Sequence, residues 1–568
     1  MVLVCGARTG LNGRSQVSLG GYTWQEKDQE LTFTLDLACM SQSLYSVSIY
    51  DTLGPDTTEY IINHASLTIV VASLNHIPVL LKLKPRCPTL KVIISIDPID
   101  AGEPAGFSKA DLLKQMAAGL DLKIIQMTDA EAIGEKSSLT MNPPKAEDIV
   151  TINYTSGTTG NPKGVVLTHA NAVAASSSSL IAAPQGEGDD CFFSYLPLAH
   201  IYERNSEQAS MAAGSRIAYF HGSPLEIVDD MKLCRPTGFI SVPRIYNRFG
   251  ATVKAASTLA PGYKGAMARY IVNSKLDALL KNPDAPGATN KHALYDRIFA
   301  KPLMKTFGLE RARYMVSGSA PLDPSLHQLL RVAFPTHLIQ GYGLTETYAV
   351  SLVQLQGDLS AGNCGAAAPS VEMCLLDVPD MEYLSSDKPH PRGELLIRGP
   401  SVFKEYYNNP EETTKAFTED GWFKTGDIAS IDELGRFKII DRRKNVLKLS
   451  QGEYVSPERI ENVYMAACPW LSAAYVHGDS HQSFLVMIGA VMPDAFAAFA
   501  GKVLRTSIGA TDYPAIMAAA KNEKVLKAAM VELEKVGISS KFNKYERVRS
   551  LVLMLEPFTI ENELLTPT

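Results

Sequence analysis

Residues 148–169 read DIVTINYTSGTTGNPKGVVLTH, two β-branched runs separated by a loop built almost wholly of Thr, Ser and Gly with one Lys. The runs predict strands, and a glycine-rich connection between them turns the backbone at a sheet end, where its N–H groups can face a ligand. The string is not a P-loop: five positions on from Gly157 stands Pro162, and Gly164 rather than Ser or Thr follows Lys163. Thr155, Ser156, Thr158 and Thr159 offer hydroxyls, Gly157 and Gly160 permit close backbone approach, and Lys163 adds a mobile positive charge. Such a set suits the phosphates of a nucleoside triphosphate; the competing reading is a polar surface turn.

The flanking sequence extends the strand and helix pattern. Before the loop, TIVVAS and KVIISI alternate with helical stretches such as KADLLKQMAAGL, the mark of α/β layers. After it, VVLTH predicts a strand and the following Ala/Ser stretch a helix. Near Asp441 the organisation shifts. FKII predicts a strand, Gly452 a turn, and SPERIENVY a helix capped by Ser456, with Pro457 at its first position and Ile460, Val463 and Tyr464 on one face. At 568 residues the chain is too long for one ordinary core. The expected division is a segment 1–34, a large α/β unit 35–440 and a small mobile α+β unit 441–568.

A net charge of −6 argues against nucleic acid as the main partner. The eight cysteines are scattered without a C-x-x-C pair or zinc spacing, which favours a reducing intracellular compartment. The apolar stretch from Ser66 is broken by Asn75, His76 and Pro78, so no transmembrane span is expected.

Three strings occur in order: YTSGTTGNPKG at 154, QGYGLTET at 340, and GWFKTGD at 421 followed by DRRKNVLKLSQGEYVSPERIE from 441. Together they resemble the signatures of the adenylate-forming superfamily, over the chain from about Asp36 onward. PTGFISVPRIYNRF and SLYSVSIYDTLGPDTTEYIINHA resemble the long-chain fatty acyl-CoA ligases, most closely the fungal ones. The resemblance implies ATP, Mg2+ and coenzyme A acting on a fatty acid, which passes through acyl-AMP to the CoA thioester with release of pyrophosphate and AMP.

By the same resemblance Glu346 holds the magnesium with Thr155 as a second contact. Thr345 touches the α-phosphate, and Gln340, Gly341, Tyr342, Gly343 and the Ser319-Ala320-Pro321 turn surround the nucleotide. Asp427 and Arg442 hold the ribose, His200 closes the carboxylate site, Asp441 is the hinge between two domain orientations, and Gly452 lies toward coenzyme A. Placement in the cytosol, or at the surface of a peroxisome or endoplasmic reticulum, fits equally well and allows peripheral membrane association. Chain length is not legible.

Two departures from the family pattern stand out. Residues 1–34 do not match its longer N-terminal part. The sequence ends at Thr568 within FTIENELLTPT, before a family lysine that bridges the carboxylate and α-phosphate, so poor acyl-AMP formation is the expectation. Alternatives are a remnant that binds nucleotide or acyl-AMP, and a ligase for a medium-chain or aromatic acid.

Overall fold

The computed structural model describes residues 2–5, 28–49, 54–99, 108–155, 161–183, 188–223, 226–285, 287–443, 445, 447–450, 453–479, 481–556 and 558. Two seven-stranded sheets carry the first part of the chain. The first runs, in spatial order, Lys123–Gln126, Val92–Ser95, Ile69–Ala72, Val2–Cys5, Ser46–Ile49, Ile149–Thr155 and Lys163–Thr168. The two apolar runs read as strands, TIVVAS and KVIISI, pair in parallel. The loop connects an antiparallel hairpin in which Thr155 stands opposite Lys163, so both ends of the loop are fixed by the sheet. Helix His169–Ala182 follows at once, capped by the Thr168 hydroxyl, which accepts from the Asn171 N–H at 3.3 Å.

The described parts of segment 1–34 join the first sheet and the helix that follows it. Val2–Cys5 pairs antiparallel with both Ser46–Ile49 and Ile69–Ala72, and helix Asp28–Met40 crosses the expected 34/35 boundary. Burial explains the continuity: Phe33, Asp36 and Cys39 are buried, and Asp36 forms a fully buried ion pair with Arg204. Cys39 is disulfide-bonded, a pairing that the scattered spacing did not reveal, while Cys87, Cys191, Cys234, Cys364, Cys374 and Cys468 are free thiols.

The second sheet holds parallel strands Arg216–Tyr219, Cys191–Ser194, Gly238–Ser241, Tyr314–Ser317 and His337–Tyr342, extended by the short antiparallel strands Leu352–Val353 and Ala366–Ala367. One core contains Phe239, Tyr246, Phe249, Phe307 and Phe334, with the Phe249 and Phe307 ring centroids 4.8 Å apart. A four-stranded antiparallel sheet, Glu372–Leu376, Arg392–Arg398, Phe423–Ile431 and Phe437–Arg442, comes next.

After residue 441 a further core gathers Tyr464, Trp470, Phe496, Leu533 and Phe542 between three strands, Leu471–His477, Leu485–Val491 and Val548–Met554, and four helices. That cluster contains no residue before Leu449. Helix Pro457–Ala467 begins as its sequence suggests, with the Ser456 hydroxyl accepting from the Arg459 N–H at 3.4 Å, and buries Ile460 and Tyr464. Among the described residues no helix is long and apolar enough to cross a membrane.

Candidate active site

In open parallel sheets, ligands bind beyond the carboxyl ends of the strands, because the chain departs there in loops whose N–H groups are unpaired. The second sheet obeys that rule. Ser317 leads into Gly318-Ser319, Tyr342 into Gly343-Leu344-Thr345-Glu346, and Ser194 onward to His200 at the head of helix Ile201–Ala212. These ends, the Thr155/Lys163 hairpin and the strands Phe423–Ile431 and Phe437–Arg442 enclose a cavity of about 1140 Å3. That exceeds the usual range for one small ligand and leaves room for a nucleotide and an acyl group.

Thr155, Lys163, His200, Ser319, Gly341, Tyr342, Gly343, Thr345, Glu346, Asp427 and Arg442 all line the cavity. The turn after Tyr342 is tight enough to demand glycine at 343: a Cβ there would stand 1.9 Å from the Ala349 carbonyl oxygen. Ser319 takes a positive φ of 69°, which swings the chain sharply out of its strand.

Four of the singled-out residues, all within the described part of the chain, do not line the cavity. Ala320 and Pro321 are exposed on the turn beyond Ser319. Gln340 is buried behind it, where its Oε1 accepts from the Leu322 N–H at 2.8 Å and its Nε2 donates to the Asn363 carbonyl at 3.1 Å. The Gln340 amide is thus spent on holding the turn. Asp441 is also buried, opposite Ile428 in the strand pair, rather than in the wall. Ser156, Gly157, Thr158, Thr159, Gly160 and Gly452 lie outside the described residues, as does the tail 559–568.

Electrostatics divide the site into two linked clusters. In the first, Glu346 is half-buried and its Oε1 accepts from the Tyr406 hydroxyl at 2.8 Å. Burial raises the Glu346 carboxyl above its ordinary range, while the Tyr406 hydrogen bond and the Lys163 charge act the other way. Lys163 pairs with Glu412 and its Nζ stands 5.1 Å from the centre of the Tyr406 ring. Hydrogen bonds from Lys163 and Lys415 hold Glu412 down at about 2. Tyr406, Glu412 and Lys415, from the string KEYYNNPEETTK, were not singled out in the sequence. Nothing in their spacing announces chemistry, and a Tyr before an Asn-Pro turn reads as ordinary packing.

In the second cluster, the Tyr342 hydroxyl donates to Asp427 Oδ2 at 2.5 Å, and Arg442 Nε stands 3.7 Å from Asp427 Oδ1. Burial pushes the Asp427 carboxyl up to about 6, partly offset by that hydrogen bond and by Arg442. Arg442 is over half exposed, so its head is free to follow a ligand. Its neighbour Arg443 binds Glu394 at 3.1 Å instead.

Part of the remaining wall is apolar, with the polar side chains Ser179, Asn205 and Ser206 among the lining as well. Ala182, Ile339, Val353 and Val316 pack together, and Ala183, Ile240 and Tyr202 continue the surface past His200. Burial lowers the His200 imidazole, which keeps it neutral at pH 7. A polar pocket with lysine and carboxylate thus opens into an arm that suits hydrocarbon.

The family model described as "AMP-binding enzyme" matches residues 31–407. The chain is 58% identical over 545 residues to "Acyl-CoA ligase 891, peroxisomal" of Penicillium roqueforti, an alignment covering 96% of this chain and 77% of that one. It is 37% identical to "Long chain acyl-CoA synthetase 6, peroxisomal" of Arabidopsis thaliana, over 94% of this chain and 73% of the relative. Among solved structures, the A domain of carboxylic acid reductase from Segniliparus rugosus, in complex with AMP and a co-purified carboxylic acid, superposes with a TM-score of 0.73 at 24% identity, covering 95% of this chain and 77% of that chain.

Proposed function

The chain belongs to the AMP-binding enzyme family, and on that premise we propose which of its residues carry out the reaction. It is an acyl-CoA ligase of the long-chain kind, which activates a fatty acid with ATP through acyl-AMP to acyl-CoA. The observation that supports the residue assignment best is that Lys163, Glu346, Asp427 and Arg442, from three distant stretches of sequence, share one cavity with His200 and the apolar side chains Ala182, Ile240 and Val316.

In the first half-reaction an oxygen of the fatty acid carboxylate bonds to the α-phosphorus of ATP while the bond to the β-phosphate oxygen breaks and pyrophosphate leaves. Lys163, released from Glu412, meets the outer phosphates; Thr345 faces the α-phosphate. Asp427 accepts from the ribose hydroxyls, Arg442 reaches the same sugar, and Tyr342 and Ser319 lie along the base. His200, neutral and at the head of the arm, closes the carboxylate site without transferring a proton. In the second half-reaction the thiol sulfur of coenzyme A bonds to the acyl carbon, the carbon–oxygen bond to AMP breaks, and AMP leaves. Both steps develop charge on phosphate oxygens, so positioning and electrostatics dominate.

One half-buried carboxylate in the cavity wall fits magnesium, which binds through one or two carboxylates together with substrate phosphates. Among the described residues there is no cluster of three metal-binding side chains. Glu346, with Thr155 near, would hold the ion, which supplies charge neutralisation when bound.

The separate core after Leu449 supports a small lid unit from 441 onward, pivoting at Asp441 between the half-reactions. The word "peroxisomal" in two relatives' names supports a peroxisome over the cytosol or endoplasmic reticulum.

Product analysis with a panel of medium-chain, long-chain and aromatic acids, with and without coenzyme A, tests the reading. AMP and pyrophosphate with long-chain acids support it. Formation of ADP, or turnover restricted to aromatic acids, overturns it.

A further inference from the structure

Helix Gly262–Lys281 lies over the core on the side of Ala268, Ile271, Val272 and Leu279, all buried. Its other side is not polar. Tyr263, Met267 and Tyr270 recur at helical spacing, and Tyr263 is 79% exposed. The band continues at both edges. Leu259 is 69% exposed on the turn that Arg269 ties to the helix through the Ala260 carbonyl, at 2.5 Å. On the other side the Tyr270 ring meets Tyr295, 6.4 Å between centroids, beside exposed Leu294 and Ile298. Single exposed apolar residues are ordinary, but six together on a charged protein mark a contact surface.

The charge around the band is mostly positive, with Asp277 the one exposed acid on the helix itself. Residues 254–305 carry nine Lys and Arg against three Asp, in a chain whose net charge is −6. Two of the three Asp are already paired, Asp296 with the buried Lys275 and Asp284 with Arg436. Lys264, Lys291, Arg297 and Lys301 are exposed alongside the apolar residues. Aromatic rings at the interface, methionine and leucine beneath them and a cationic rim are what a helix lying in the headgroup layer presents.

We propose that this face, the outer side of helix Gly262–Lys281 with residues 293–298, docks the protein on an anionic phospholipid bilayer. The choice of a bilayer over a protein partner rests on the ligase reading, because a long-chain fatty acid resides in membranes, and on the basic rim, which complements anionic headgroups. Each rim cation gains from the negative surface potential, so binding falls as salt rises.

The test is vesicle flotation of the full chain, on phosphatidylcholine with and without phosphatidylserine, alongside pyrophosphate release on dispersed fatty acid. The wild type floats with phosphatidylserine vesicles, floats poorly with neutral ones, and is released by high salt. The combined Tyr263→Ser, Met267→Ser and Tyr270→Ser variant loses about tenfold or more in vesicle affinity. Lys264→Glu with Lys291→Glu loses a comparable factor on anionic vesicles only, and that second variant guards against misfolding of the first. Both keep pyrophosphate release within about twofold, since neither touches the cavity.

A wild type that ignores anionic vesicles, or variants that bind as well as it does, overturns the proposal. So does self-association in sedimentation that the serine variant abolishes while vesicles go unbound, since the face then serves a second copy. A wild type that floats as described but activates no acid overturns the ligase reading and leaves the docking face standing.

Discussion

The Tyr406 hydroxyl donates to the Glu346 carboxylate across 2.8 Å, although 60 residues separate them in the chain. Removing it by Tyr406→Phe leaves the half-buried carboxylate with one partner fewer and so with a raised affinity for protons, which compete with a cation. The apparent affinity for magnesium in pyrophosphate release is expected to fall by about fivefold to tenfold, the worth of one ordinary hydrogen bond of about 1 kcal/mol. Glu346→Ala is expected to lose ~10²-fold or more, because the charge-neutralising ligand itself is gone. Titrating magnesium against both variants separates the two: saturation rescues Tyr406→Phe and not Glu346→Ala.

Lys163 and Glu412 form a partly exposed pair, which ATP has to break under the proposed role of Lys163. Lys163→Ala is expected to raise KM for ATP more than it lowers kcat, since the lysine meets phosphate charge in the ground state as well. Glu412→Gln removes a competitor for the same cation and is expected to lower KM for ATP. Pairs at this exposure contribute at most about 1 kcal/mol, so the gain stays within about fivefold. If Glu412→Gln instead raises KM, the pair assists the phosphates rather than competing with them.

The Asp427 carboxyl titrates at about 6. Above that pH it is ionised and accepts from the ribose hydroxyls; as pH falls through 6 it protonates and loses that capacity. The free-enzyme profile of kcat/KM for ATP is therefore expected to fall on the acid side with an inflection near 6. Asp441 titrates in the same range, so assignment needs a variant. Asp427→Asn is expected to lower kcat/KM at pH 8 and to erase the inflection; an inflection that survives belongs to another group. For stability the sign is opposite. A carboxyl raised from 3.8 contributes to folding while protonated, and that contribution is lost as pH rises from about 4 toward 6.

Asp441 sits opposite Ile428 at the end of the four-stranded sheet, with its Oδ1 accepting from the Arg442 N–H at 2.6 Å. Proline at 441 fixes φ and removes one N–H from that strand. Asp441→Pro is expected to spare one half-reaction and to reduce the other on the order of 10²-fold. Equal loss in pyrophosphate release and in thioester formation from supplied acyl-AMP would place the pivot elsewhere.

The phosphate hairpin, the GYGLTE turn and the helix after Ser456 were legible because each is local. Glycine, proline and hydroxyl residues at fixed offsets dictate a turn or a cap without help from distant chain. Thr155 and Lys163 are named from the loop's own residue types and Glu346 and Asp427 from the resemblance of the strings around them, and all four line the cavity. Gln340 was misplaced toward the nucleotide because a motif letter does not say which way a side chain faces; burial turned its amide to Leu322 and Asn363. Tyr406 and Glu412 were illegible because their meaning lies in partners remote in sequence. The strand at Val2–Cys5 escaped notice because it joins a sheet whose other strands begin 41 residues later, and four residues carry no period of their own.

Fatty-acid-dependent exchange of labelled pyrophosphate into ATP tests the ligase account most directly, since it reports reversal of the first half-reaction alone. The account predicts exchange that requires a long-chain acid and magnesium, proceeds without coenzyme A, and is lost in Glu346→Ala. Exchange that requires coenzyme A, or that proceeds undiminished in Glu346→Ala, would contradict it.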